Sequence, residues 1–198
     1  MVAGLALAFL LTVGGTYPFL ALNDPIPGGI LVVEGWAPDY ALRAAVAEVA
    51  TNRYERLFVT GGPLERGAPL SEYRTYAELG AATLARLGAS TNLLQPVPAP
   101  AVRHDRTYAS ALSLRNWLQQ HPGAFSRINV VTLGPHARRS RLLFQQVFGD
   151  NVRVGVIAVP EQEYDCAHWW RSSSGVRTVT GEAIAYAYVR LFFNPVEP

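Results

Sequence analysis

Five short apolar runs alternate with helix-length segments along most of this chain, and that alternation narrows the fold more than any other feature. The runs are ILVVEGW, RLFVTGG, NLLQPVPAPAV, INVVTL and VRVGVIAV, starting at residues 30, 56, 92, 128 and 152. The first is an unbroken apolar run, the pattern of a strand covered on both faces, whereas the third is a weak strand broken by prolines. Between the first two, PDYALRAAVAEVATN places Leu42, Ala45, Val46 and Val49 at helical spacing. Ser71 reads as the N-cap of EYRTYAELGAATLARL, which Gly88 closes. RTYASALSLRNWLQQ is a helix stopped near Pro122-Gly123, ARRSRLLFQQVFG follows the fourth strand, and a last helix is expected from about Ser173 to Phe193. Strands separated by helices mean βαβ units and right-handed crossovers. The expected fold is a Rossmann-like three-layer α/β/α sandwich with a mainly parallel sheet of about five strands.

Ahead of this domain, VAGLALAFLLTVGGTYPFLAL is almost wholly apolar, and no charged side chain occurs from Met1 to Asn23. As a helix those residues would reach about 30 Å, the thickness of a bilayer core. Gly14, Gly15 and Pro18 weaken its second half, and no Lys or Arg precedes it as in a secretory signal. Residues 1–23 are therefore expected to be a membrane anchor or signal segment, and 24–198 one α/β domain with a C-terminal helix. The 198 residues suffice for a real hydrophobic core. A net charge of +2 does not mark a nucleic-acid binder. All 17 basic residues are arginine, so a bound anion would be met by guanidinium forks, histidine or backbone N–H groups. The lone Cys166 excludes an intramolecular disulfide and a cysteine-cluster metal site.

Parallel sheets bind ligands beyond the carboxyl ends of their strands, where the strand order switches. Those ends deliver Glu34, Gly35 and Trp36, then Thr60, Gly61 and Gly62 with a loop on to Ser71 and Glu72. They also deliver His104 to Thr107, and Gly134 to His136. On the helix begun at His136, Leu143, Phe144, Val147 and Phe148 define the buried stripe. His136 falls on that side and Arg139 at its edge, both aimed at the sheet's rim. Arg138 and Arg141 fall elsewhere, toward solvent or acidic partners. A helix N-terminus with an Arg fork suits a phosphate or carboxylate.

Other residues carry two readings each. Gly61-Gly62 is either a strand-ending turn or a close backbone approach to a ligand. Ser71 is first a helix cap, and Glu72 suits the helix dipole with or without a ligand. Asp105 and Thr107 are read as caps of the next helix, with Asp105 also placed to orient His136 or hold an arginine. Glu34 is unusual at a strand end and is a candidate for binding. Trp169 and Trp170 read as packing or membrane-surface residues. There is no Walker motif, GxGxxG, GxSxG elbow or clustered metal-ligand spacing.

Taken in order, LVVEGW, Arg43, VTGG, SEY, DRT and VTLGPHARRS resemble the motif series of the YdcF-like family, the uncharacterised-domain family that includes SanA and ElyC. The resemblance spans roughly residues 29–160. It implies a Rossmann-like domain, often behind an N-terminal membrane segment, in bacterial envelope proteins linked to cell-wall assembly or polyprenyl-lipid carriers. One member is reported to bind S-adenosylmethionine, so that cofactor is the one the resemblance suggests. Matched position by position, the family's polar residues fall on Arg43, Gly61, Gly62, Glu72, Thr107, His136 and Arg139. The chain departs from the pattern at Glu34, where the family often has Gly, and at Ser110, where many have Asn. The C-terminal HWWRSSSGVRTVTGEAIAYAYVRLFF lies outside the motifs and marks a distinct subgroup.

The expected function is binding, with or without hydrolysis, of a phosphorylated or pyrophosphorylated lipid or sugar intermediate. His136, Glu72 and Asp105 are the catalytic candidates; Glu34, Arg43, Gly61, Gly62, Ser71, Thr107 and Arg139 are the binding candidates. The expected place is the inner membrane, with the domain on its outer face and no nucleic-acid or metal partner. The alternatives are a nucleotide-type cofactor binder, with Glu34 accepting from a ribose, and a noncatalytic envelope assembly factor.

Overall fold

The structure is a computed structural model and describes residues 13–121, 123 and 125–195. Residues 13–20 are helical (α1), and the sheet domain follows as β1 (Ile30–Glu34), α2 (Asp39–Thr51), β2 (Arg56–Gly61), α3 (Tyr76–Arg86) and β3 (Leu94–Pro98). It continues through α4 (Arg106–Gln120), β4 (Arg127–Leu133), α5 (Ala137–Phe148), β5 (Arg153–Val159) and α6 (Ser173–Leu191). The five strands lie in the order β3-β2-β1-β4-β5, and every pairing is parallel. The three-layer α/β fold read from the sequence is the fold observed.

Side-chain alternation along the strands builds the two cores. Leu31, Val33, Leu57, Val59 and Val131 face α2 and α3, meeting Leu42, Ala45 and Leu84. Ile30, Val32, Phe58, Ile128 and Val130 face the other way, onto Leu114 of α4 and Phe144 and Val147 of α5. Strands buried on both sides explain why the sequence shows continuous apolar runs rather than alternation. The prolines of β3 are tolerated because it is an edge strand. Asn129 interrupts β4 for a reason: its fully buried amide donates to Ile26 O (2.7 Å) and accepts from Ile26 N (2.8 Å), pinning the chain that enters β1.

The sequence predicts Ser71 as the cap of α3, and here the structure differs. The helix begins at Tyr76, capped by Thr75, whose hydroxyl accepts from Glu78 N while the Glu78 carboxylate accepts from Thr75 N. Residues 71–74 are held extended instead, because Leu64 N donates to Arg74 O and Pro63 bridges Thr75. The Ser71 hydroxyl only accepts from Tyr73 N. Helix α4 ends at Gln120; Pro122, expected to stop it, lies outside the described residues.

The membrane-anchor expectation falls largely on residues 1–12, outside the described residues. Among the described residues no helix is long and apolar enough to cross a membrane. Helix α1 packs onto the domain. Leu20 is buried in a cluster with Tyr164, Trp169 and Val179, and Tyr17 and Val13 pack against it. Trp169 is thus a packing residue, and its indole N–H donates to Val13 O (3.2 Å). A methyl group on Gly134 would lie 2.5 Å from the Tyr17 phenol oxygen, so α1 also braces the turn that follows β4. Half-buried Arg138 also reaches α1, donating to Phe19 O with its guanidinium 4.0 Å from the Phe19 ring centroid. Arg141 pairs with Asp24 at 2.9 Å.

Candidate functional site

The switch in strand order falls between β1 and β4, and Glu34 and His136 stand at its two sides. A cavity of about 540 Å³ opens there, lined by the ends of β1, β2 and β4, the loop at residues 103–107, and one residue of α6. Glu34 ends β1 at 2 % exposure, and its carboxylate accepts from the Ser140 hydroxyl at 3.0 Å. His136 sits in the single turn of 3₁₀ helix between β4 and α5, with Trp36 packed edge-on at 5.0 Å.

His136 is held between two carboxylates. Its Nε2 lies 3.6 Å from Glu34 Oε2 and 3.3 Å from Thr107 Oγ1, and its Nδ1 lies 2.9 Å from Glu182 Oε1. Burial alone would lower the imidazole pKa. The charge of Glu34, the hydrogen bond to Glu182 and a further bond to Glu34 overcome that and raise it to about 9. The two flanking carboxylates favour the imidazolium, and the Arg139 Nη2, 2.8 Å from Nδ1, opposes it. Burial would likewise raise the Glu182 carboxyl, but hydrogen bonds from His136 and Arg139 hold it down to about 2. Glu34 is also held below its ordinary range: the charge of His136, with bonds from His136 and Ser140, outweighs its burial.

Arg139 grips Glu182 as a fork, Nε to Oε2 at 2.8 Å and Nη2 to Oε1 at 2.9 Å. The result is a closed chain of charge, Glu34–His136–Glu182–Arg139, on four separate elements: β1, the turn after β4, α6 and α5. Glu182 is the functional candidate that the sequence reading missed. Its signal was its solitude, for it is the one acidic residue in the 19 of α6.

The structure gathers most of the sequence candidates and separates three. Glu34, Gly61, Gly62, Asp105, Thr107, His136 and Arg139 all line the cavity, with Ser110 beside them. Arg43 does not; it is exposed on α2, whose buried face is Ala41, Leu42 and Ala45. Ser71 and Glu72 do not either, because the extended 71–74 segment carries Glu72 to a different hollow against α3. Gly61 is explained by packing, since a methyl group there would lie 2.7 Å from Tyr76 Cβ, whereas one on Gly62 would meet nothing closer than 3.7 Å. Asp105 does not reach His136; it takes a left-handed conformation (φ 58°) at the start of α4, and its carboxylate pairs with His104 Nδ1 at 2.5 Å.

That conformation leaves the first turn of α4 without a side-chain cap, so its free N–H groups open onto the wall made by residues 103–107. Arg106 pairs with Glu65 across the mouth. Arg103 is exposed at the rim and, among the described residues, has no ion-pair partner. No grouping of three or more His, Cys, Asp or Glu side chains suited to a metal occurs among the described residues. No family model matches the chain, and neither a curated protein nor a solved structure matches it.

Proposed function

We propose that this chain is a divergent member of the YdcF-like family. In this reading it is an envelope-associated domain that binds a phosphorylated or pyrophosphorylated lipid or sugar intermediate. The observation that carries the proposal is His136 set between Glu34 and Glu182 in a cavity at the sheet's switch point. A phosphate entering there would meet His136, the N-terminal N–H groups of α4 and the guanidinium of Arg103, which has no ion-pair partner among the described residues. Arg139 is already committed to Glu182 by two bonds, so it orients the site rather than waiting for a ligand.

Hydrolysis is the reaction such an arrangement would serve. Water attacks phosphorus, the bond to the ester oxygen breaks, and His136 Nε2 protonates that departing oxygen. The attacking water then returns a proton to the imidazole, so atoms and charge balance. Glu34 and Glu182 keep the imidazole loaded between turns. The apolar composition of residues 1–12, with the motif order, supports placement at the inner membrane with the domain on its outer face, whereas residues 13–20 pack on the domain. The nucleotide-cofactor reading loses its main support, because the Glu34 carboxylate that a ribose would need is engaged by Ser140 and His136. The turn after β1 is also filled, as a methyl group on Gly35 would sit 2.3 Å from Tyr76 O.

A thermal-shift series on the full chain tests the proposal, using inorganic phosphate, pyrophosphate and S-adenosylmethionine with wild type and His136→Gln. A ligand at 100 times its Kd adds about 2.7 kcal/mol. Stabilisation by phosphate or pyrophosphate that disappears in the variant is expected. An equal response in the variant, or none in wild type, overturns it, and a response to S-adenosylmethionine alone transfers the site to the cofactor reading.

A further inference from the structure

Beside the charged cavity lies a second hollow of about 600 Å³ on the outer face of α4, and the two share Arg103, His104 and Asp105. Away from that shared end its wall is Pro100, Val102, Tyr108, Ala109 and Leu112, with Val102 40 % exposed. All its charge sits at the junction with the cavity. Of the polar residues further along, Ser113 already donates its hydroxyl to Ala109 O at 2.9 Å. At Tyr108 the wall meets the C-terminal segment, where the Phe193 ring packs edge-on against it at 5.2 Å.

We infer that the molecule bound in the cavity is an amphipath, its charged head held there and its hydrocarbon chain laid in this hollow along α4. The inference rests on the phosphate-binding reading and decides between its two substrate classes in favour of the lipid. A sugar needs donors and acceptors along its length, and between the charged junction and Asn116 at the far end this wall supplies mainly proline, aliphatic and aromatic carbon. Arg103 lines both hollows and, among the described residues, has no ion-pair partner, which is where the head of such a molecule would need a cation. From Tyr108 to Asn116 the wall runs eight residues of helix, about 12 Å, room for a chain of several carbons. Covering it removes exposed apolar surface from water next to a charged mouth, so head and tail are rewarded at adjacent places.

The test is calorimetric titration of the full chain with methyl phosphate, decyl phosphate and decanol, each kept below its aggregation threshold. Burial contributes about fourfold in affinity per methylene, so four buried methylenes predict decyl phosphate tighter than methyl phosphate by about two orders of magnitude. Val102→Gln and Leu112→Gln should remove that gain and leave methyl phosphate binding as it is; Val102 is exposed enough that its replacement spares the fold. Methyl and decyl phosphate binding equally would overturn the amphipath while leaving the phosphate reading intact. Neither binding would sink the phosphate reading itself. Decanol binding as tightly as decyl phosphate would show a greasy groove unconnected to the charged cavity, and the inference fails.

Discussion

Replacing Glu182 with Gln tests whether the C-terminal helix sets the charge of His136. Four groups face the imidazole: Glu34 from β1, Thr107 from α4, Arg139 from α5 and Glu182 from α6. Against the burial that would lower it, the charge and hydrogen bonds of Glu34 and Glu182 take its pKa from 6.5 to about 9. At about 1.4 kcal/mol per pH unit, that rise is worth about 3 kcal/mol of folding stability. Because the folded-state pKa is raised, the contribution is complete below pH 6.5 and is lost as pH climbs through about 9. Glu182 runs the other way: its carboxyl is held at about 2 against 4.5, so its contribution is present above pH 4.5 and vanishes as pH falls through about 2. A hydrogen bond to a charged partner is worth roughly 1.5–3 kcal/mol. Glu182→Gln should therefore lower the His136 pKa by about one to two pH units, with Glu34 still in place. The assay is an NMR titration of the imidazole C–H resonances in both proteins. An ordinary value near 6.5 in wild type, or one unmoved by the substitution, refutes the reasoning.

Three further outcomes follow from packing. Gly35→Ala drives a methyl group against the Tyr76 carbonyl and should cost about 2–3 kcal/mol in urea denaturation, while Gly62→Ala, with space around it, should cost little. Thr75→Ala removes the capping box of α3 and should cost about 1 kcal/mol by the same measurement, with Ser71→Ala close to neutral. Asn129→Leu strands the Ile26 amide and carbonyl in the interior and should lower stability by about 3 kcal/mol, the largest loss of the set, read from the denaturation midpoint.

The fold was legible because its signals are local. Most strands are short apolar runs, and Leu143, Phe144 and Val147 on α5 declare their face by spacing alone. His136 and Arg139 could be set at the rim by the same arithmetic. Where the reading slipped, another signal competed. Thr75-x-x-Glu78 is written in the sequence as plainly as Ser71, but only the bridge from Pro63 to Thr75 decides which of them starts the helix. Arg43 sat in the right motif order and yet on the solvent side of α2, a question of rotation that order does not address. Glu182 was beyond reach for a different reason. It lies 46 residues from His136, on a helix that packs across the carboxyl edge of the sheet rather than on either face, and no periodicity encodes that docking.

The contact between Tyr17 and Gly134 has a consequence for what counts as the working unit. Gly134 opens the turn that ends in His136, so the phenol of α1 is a prop behind the wall in which the histidine is set. With Leu20 buried among Tyr164, Trp169 and Val179, helix α1 is part of the domain's own packing. A pull on it is a pull on the masonry, and the imidazole two residues beyond the glycine is where the strain arrives.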